Sequence, residues 1–390
     1  MNSRFKLGIA KATDLTRAGR LTEATALIRS LLHPAQLAAR PASDQTDAAT
    51  DIGDVIDGEF TRLDAETPRI PKIRRQGPKS ARSPLSETLR KIRAGKMPSR
   101  GPLASEPVVP EGARFLTKTH RSSHGSRDFR LYVPARRPET PMPLIVLLHG
   151  CTQSAEDFAI GTGMNALAEE FGCLIAYPSQ PSGANAQRCW NWFRPEDQQR
   201  DRGEPALIAG LTREILRHYP ADPKRTYIAG LSAGGAAAVT AALAYPDIFS
   251  AVGVHSGLPD GAARDIPSAF TAMRMGTDSR PHKTVLPTIV FHGQSDNTVH
   301  PANGEAVVTE ALRAMPGLRQ TVQQDTSDGG QTYRVTAHRH ADGRTYAEHW
   351  QIDGAGHAWA GGHPNGSYTD PRGPDASRQM LRFFLQHQQA

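Results

Sequence analysis

Thr226-Tyr-Ile-Ala-Gly-Leu-Ser-Ala-Gly-Gly-Ala-Ala-Ala-Val-Thr240 is the stretch whose reading decides the fold. Tyr227 to Ala229 form a short apolar run that reads as a buried strand, and Gly230-Leu231-Ser232-Ala233-Gly234 matches G-x-S-x-G. The small, Ala-rich residues that follow read as a closely packed helix. A strand, a tight turn with a central Ser and a helix together form the context in which such a Ser is a nucleophile. The turn holds the Ser backbone under strain and projects Oγ outward, while the helix aims its free N–H groups and positive dipole end at the reaction centre. The competing reading is a Gly/Ser-rich strand-to-helix turn of a nucleotide-binding fold.

On either side of this stretch, strand and helix patterns alternate. Arg114–Arg121 and Arg127–Val133 read as an antiparallel pair turning at His124-Gly125-Ser126. Pro143–His149, Cys173–Tyr177, Ala251–His255 and Thr288–His292 read as strands buried on both faces. Thr332–Arg339 and Thr345–Ile352 read as late strands. Helices are expected at Asn165–Phe171, Glu204–Tyr219, Asn303–Met315 and Asp375–Gln386. The alternation predicts an α/β protein with a mostly parallel central sheet covered by helices on both faces, and with ligands at the carboxyl ends of the strands.

A Ser hydroxyl needs a base and a group that orients the base. In this architecture the chain order is Ser, acid, His. Asp296 lies in the loop after the Thr288–His292 strand, and His357 lies in a Gly-flanked loop after the last strand. Ser232, Asp296 and His357 are therefore the expected catalytic residues, with His357 Nε2 taking the Ser proton. His292, His300 and His349 are the rival bases; Asp353 and Asp247 are the rival acids. The oxyanion hole is expected from the backbone N–H groups of Ala233 and Cys151, the latter in His149-Gly-Cys-Thr-Gln153 after an early strand.

Five ordered motifs carry a resemblance: His149-Gly-Cys-Thr-Gln153, Cys189-Trp-Asn-Trp-Phe193, Gly230-Leu-Ser-Ala-Gly-Gly235, His292-Gly-Gln-Ser-Asp296 and Gly356-His-Ala-Trp359. Residues 113–388 resemble the esterases of the short-chain polyhydroxyalkanoate (poly(3-hydroxybutyrate)) depolymerase family, which is close to feruloyl and acetylxylan esterases. The resemblance implies an α/β-hydrolase fold with no metal or other cofactor, Ser232, Asp296 and His357 as the triad, and an ester substrate such as a polyester or its oligomers. The feruloyl and acetylxylan type of esterase remains the alternative, and a serine peptidase of the same fold would need a cap or propeller that the first 110 residues do not supply. Trp190, Trp192 and Trp359 are the candidate pocket residues, with core packing as the other reading. Cys151 and Cys189 are the candidate disulfide pair, joining the oxyanion loop to the aromatic loop; a reducing cytoplasm argues against the bond, and both states stay open.

Composition adds bounds. The chain has 390 residues, a net charge of +7 and three cysteines, too few and too odd a number for a disulfide scaffold. No run reaches the roughly 20 apolar residues of a membrane span. No signal peptide is legible after Met1, so a cytoplasmic location is favoured, with export by an unrecognised route as the alternative. Residues 1–110 carry 19 Lys/Arg and 12 Asp/Glu, whereas residues 111–390 carry 27 of each. Residues 1–33 read as a helical hairpin, 34–110 as a basic, Pro-rich, largely disordered linker, and 111–390 as the catalytic domain. The basic run Arg69–Arg100 has no aromatic interleaving or nucleic-acid motif, which argues against nucleic acid. A polymer granule or an anionic surface is the partner that residues 1–110 suit, and a chain acting chiefly through that binding is a reading of another class.

Overall fold

The computed structural model describes residues 106–389 apart from Arg137, residues 278–285 and Ala314. The helical hairpin expected at 1–33 and nearly all of the expected linker lie outside the described residues.

Among the described residues the chain builds one ten-stranded sheet. Its strands are β1 (Arg114–Ser122), β2 (Gly125–Val133), β3 (Met142–Leu148), β4 (Leu174–Pro178), β5 (Ala221–Leu231), β6 (Ala251–His255), β7 (Thr288–Gly293), β8 (Arg319–Thr326), β9 (Thr332–Arg339) and β10 (Thr345–Ile352). Their order across the sheet is β1-β2-β4-β3-β5-β6-β7-β10-β9-β8. The run from β4 to β10 is parallel, and antiparallel strands close both edges. A two-strand ribbon, β11 (Trp359–Ala360) with β12 (Thr369–Asp370), stands apart from it.

The parallel strands are the ones with unbroken apolar runs. Every residue of β3, β4, β6 and β7 is buried, as a strand covered on both faces requires. The helices α1 (Ala155–Thr162), α2 (Met164–Phe171) and α7 (Ala376–Phe384) cover one face with Phe158, Met164, Met380 and Phe384. The other face is covered by α3 (Gly203–His218), α4 (Ala233–Ala244) and α6 (Ala302–Leu312), which bring Ile208, Leu211, Ala238 and Val307.

Five strands and α-helices were not in the sequence reading: β8, α1, α5 (Ile266–Met275) and the two short ribbon strands β11 and β12. The strand β8 has all eight residues exposed, so it carries no burial alternation to reveal it. Helix α1 starts at Ser154, whose Oγ accepts the Asp157 N–H, but its Gly161 breaks the apolar pattern. Helix α5 was hidden because Ile266, Phe270 and Met275 point outward, 58%, 57% and 74% exposed. Its start is set by a capping box between Asp265 and Ser268.

Candidate active site

Ser232 stands between β5 and α4 with φ 58° and ψ −121°, a conformation costing an L-residue about 1–3 kcal/mol. Its neighbours impose it. A Cβ at Gly230 would run into the Gly234 backbone and Leu148 O, and one at Gly234 into the carbonyl oxygens of Leu148 and His149. The G-x-S-x-G glycines thus let α4 press against β3 and β5, and the tight turn follows. The Ser232 N–H donates to His255 O at 2.9 Å, which fixes the turn to the end of β6.

Asp296 lies in the loop after β7, almost wholly buried. Its Oδ1 accepts the N–H groups of Thr298 (2.8 Å) and Val299 (2.9 Å), and its Oδ2 lies 2.7 Å from His357 Nδ1. Burial alone would raise this carboxyl, but hydrogen bonding and charge from His357 and the Val299 N–H outweigh it and hold the group below its ordinary range. His357 and Ser232 line the same cleft. Among the described residues no hydrogen bond joins Ser232 Oγ to His357 Nε2; catalytic hydrogen bonds of this kind often tighten only in the substrate complex.

The rival residues sit elsewhere in role. His292 is fully buried, donates from Nε2 to Val299 O (2.9 Å) and braces the Asp296 loop. His349 is buried inside β10. Asp247 is paired at the surface with Arg200 (2.6 Å) and Arg213 (3.1 Å). Asp353 is exposed, with its N–H bonded to Thr332 O.

Ala233 and Cys151, the residues expected to supply the oxyanion hole, both line the cleft beside Ser232. Ala233 is the first residue of α4, so its N–H has no acceptor within the helix. In the loop after β3, the Gly150 N–H donates to Gln153 Oε1 (2.8 Å) and the Thr152 N–H to Gln187 O (2.7 Å). The Cys151 N–H lies between them, and Cys151 lines the cleft. Cys151 is joined to Cys189 by a disulfide, with Cα atoms 4.2 Å apart.

Beneath this loop is a buried polar network with no sequence signature. Glu204 accepts the Asn191 N–H (2.8 Å) and side-chain amide (2.8 Å), and it also holds the Gln180 amide. Gln180 in turn accepts from Arg127, donates its N–H to His149 Nε2 (3.1 Å) and its amide to Cys189 O (2.9 Å). Burial, reinforced by Asp197, pushes the Glu204 carboxyl up. His149 is pushed down to about 4 by burial, so it stays neutral and accepts.

The cleft has a volume of about 540 Å³. Trp192, Phe193, Leu258, Met273 and Val299 supply apolar wall, and Ile266, Phe270 and Tyr368 form its exposed lip. Of the three tryptophans expected here, only Trp192 lines it. Trp190 is a correction: its ring is fully buried and its Nε1 donates to His149 O (3.0 Å), so it props the loop after β3 and does not line the cleft. Trp359 is a second correction: β11 turns it into the core, where it stacks on His255 and donates to Ser377 Oγ (3.0 Å). Leu258, Phe270 and Tyr368 escaped the sequence reading because they come from separate loops and a helix with no motif. Among the described residues no cluster of three or more His, Cys, Asp or Glu side chains is placed to hold a metal ion, and no helix is long and apolar enough to cross a membrane.

Comparison with known proteins sets this geometry in context. A family model described as Esterase PHB depolymerase matches residues 127–328. Poly(3-hydroxyalkanoate) depolymerase C of Paucimonas lemoignei is 35% identical over 247 residues, covering 60% of this chain and 58% of that protein. Poly(3-hydroxybutyrate) depolymerase of Ralstonia pickettii is 29% identical over 266 residues, covering 61% and 53%. The chain thus spans little more than half the length of these two relatives. Feruloyl esterase B of Thermothelomyces thermophilus is 31% identical over 208 residues, covering 47% of this chain and 67% of that protein. Among solved structures, an acetyl xylan esterase from Aspergillus awamori matches with a TM-score of 0.55 at 18% identity, over 70% of this chain and 99% of that one. The shared fold is the α/β-hydrolase fold.

Proposed function

The chain belongs to the PHB depolymerase esterase family, and from that premise we propose that it is a serine hydrolase of carboxylic esters, acting on short-chain poly(3-hydroxyalkanoate) or its oligomers. The observation that carries this reading is Ser232 in its strained turn, sharing a cleft with His357, whose Nδ1 is held 2.7 Å from Asp296.

The substrate carbonyl oxygen docks at the N–H groups of Cys151 and Ala233. Ser232 Oγ attacks the carbonyl carbon while its proton passes to His357 Nε2. Asp296 keeps the His357 proton on Nδ1 and stabilises the imidazolium that forms. The two N–H donors take up the negative charge that develops on oxygen; one such donor is worth about 3 kcal/mol. Collapse breaks the ester C–O bond, and the alcohol leaves with the proton from His357, leaving an acyl-Ser232. Water then loses a proton to His357 and attacks the acyl carbon, and the acid departs as Ser232 regains its proton. The apolar wall of the cleft suits a short acyl or alcohol chain.

The test is parallel turnover by the wild type and Ser232→Ala of p-nitrophenyl butyrate, amorphous poly(3-hydroxybutyrate) and methyl ferulate. Polymer hydrolysis lost in the variant supports the depolymerase reading. Turnover of ferulate without polymer moves the function to the cell-wall esterases, and activity surviving Ser232→Ala defeats the mechanism. A role for residues 1–110 in holding the enzyme to a polymer granule rests on their positive charge alone; granule partition of the full chain that is insensitive to ionic strength would remove that support.

A further inference from the structure

His255, the last residue of β6, takes no part in the chemistry above, yet all three segments that carry Ser232, Asp296 and His357 meet on it. Its carbonyl oxygen accepts the Ser232 N–H at 2.9 Å. Its neighbour Ser256 donates its N–H to Phe291 O (2.9 Å) on β7, the strand that delivers Asp296, and the His255 ring stacks on Phe291 at 5.8 Å between centroids. The ring also stacks on Trp359 at 5.1 Å, and Nε2 accepts the Ala360 N–H at 2.9 Å. Trp359 and Ala360 lie two and three residues after His357, in β11.

The polarity of these contacts assigns the tautomer. Nε2 accepts, so it carries no proton; the proton sits on Nδ1, toward Ser256 Oγ at 3.2 Å. Full burial, with His292 and His357 nearby, pushes the group down to about 3, so the ring remains a neutral acceptor at any working pH.

The His357 loop needs such an anchor. It carries Gly354 at φ 67° and Gly356, and no regular structure spans 353–358. Upstream it is tied by Ser295 N–H to Ala355 O (2.9 Å) and downstream by His255 to Ala360. The upstream tie and the Asp296 bond set the loop against the acid. The downstream contacts, the Ala360 N–H bond and the Trp359 stack, refer it to the residue whose carbonyl holds the nucleophile.

We propose that His255 is a positioning residue for the hydrolase reaction, its neutral imidazole setting the distance between Ser232 and the His357 loop through the Ala360 N–H. This rests on the esterase reading of the site. Such a ruler matters because a displacement of about 1 Å between nucleophile and base can cost about a hundredfold in rate.

The test compares His255→Gln with His255→Met on p-nitrophenyl butyrate. The two side chains have similar size, but only Gln offers an acceptor oxygen near the position of Nε2. His255→Met is expected to lose about a hundredfold in kcat with KM within about twofold, and His255→Gln to recover at least about tenfold of that loss. A general packing role would lower Tm in both variants and leave no difference in kcat between them, which overturns the proposal. A Met variant with wild-type kcat also overturns it. If Met fails to fold, Ala360→Pro removes the donor from the other side and must show the same kcat loss at unchanged KM. A wild type that does not hydrolyse the ester, or an activity that survives Ser232→Ala, sinks the esterase reading along with this one; the Gln–Met comparison in an active enzyme isolates His255.

Discussion

Asp296 accepts from Thr298, Val299 and His357 at once, and it is this crowd of donors that keeps a buried carboxyl ionised. Asp296→Asn preserves shape but replaces one acceptor oxygen with a donor, which favours the wrong His357 tautomer. We expect kcat to fall about 10⁴-fold with little change in KM. The same residue links activity to stability. Its pKa is depressed in the folded state, so its ionised form favours the fold. That contribution is complete above the ordinary value of about 3.9 and is lost as pH falls through the depressed folded value. The Tm gap between wild type and Asp296→Asn should therefore shrink on acidification through this window. A gap independent of pH would mean that the carboxylate's interactions add nothing to the fold.

At the scale of elements, the Cys151–Cys189 disulfide and the Glu204 network both fasten the loop after β3, the proposed source of an oxyanion donor, to the segment 185–193. The crosslink closes a separation of 38 residues, for which chain entropy gives about 4 kcal/mol. Cys189→Ser should lower Tm and cut kcat by about tenfold, less than the 10²–10³ of a lost donor because Gln180 and Trp190 still hold the loop. Unchanged kcat after verified reduction of the disulfide would show that the loop is set by the polar network alone. What was legible here followed burial. The parallel strands announced themselves by apolar runs because both faces are covered, and β6, β9 and β10 fall where their patterns end. The exposed strand β8 and the outward apolar residues of α5 have no such signature. Trp192 and Trp359 are equally apolar in sequence; ring direction separates them, and it is decided by the β11–β12 ribbon, which joins residues ten apart through two pairs only. That Ser232, Asp296 and His357 come together could be read from chain order because that order follows sheet topology, whereas the contacts of His255 and Glu204 are encoded by no spacing.

Across the whole molecule, the carboxyl ends of the parallel strands are supported by neutral buried histidines: His149 after β3, His255 ending β6 and His292 in β7, with His349 inside β10. Burial pushes His149 down to about 4, and His255 and His349 down to about 3. A histidine with a depressed folded pKa binds fewer protons folded than unfolded, so stability rises with pH up to the ordinary value near 6.5 and is level above it. Acidification from about pH 6.5 to about pH 5 should remove up to about 2 kcal/mol for each such group. The protein is therefore expected to lose Tm progressively below about pH 6.5, well before its carboxylates protonate. His349 offers a test that leaves the cleft alone, because it is buried in β10 away from the cleft lining and its Nε2 has no hydrogen-bond partner among the described residues. His349→Leu keeps the volume and removes one titration, so its Tm should decline less steeply with acid than that of the wild type. Parallel Tm–pH curves for the two proteins would show that His349 is not what makes the fold acid-sensitive.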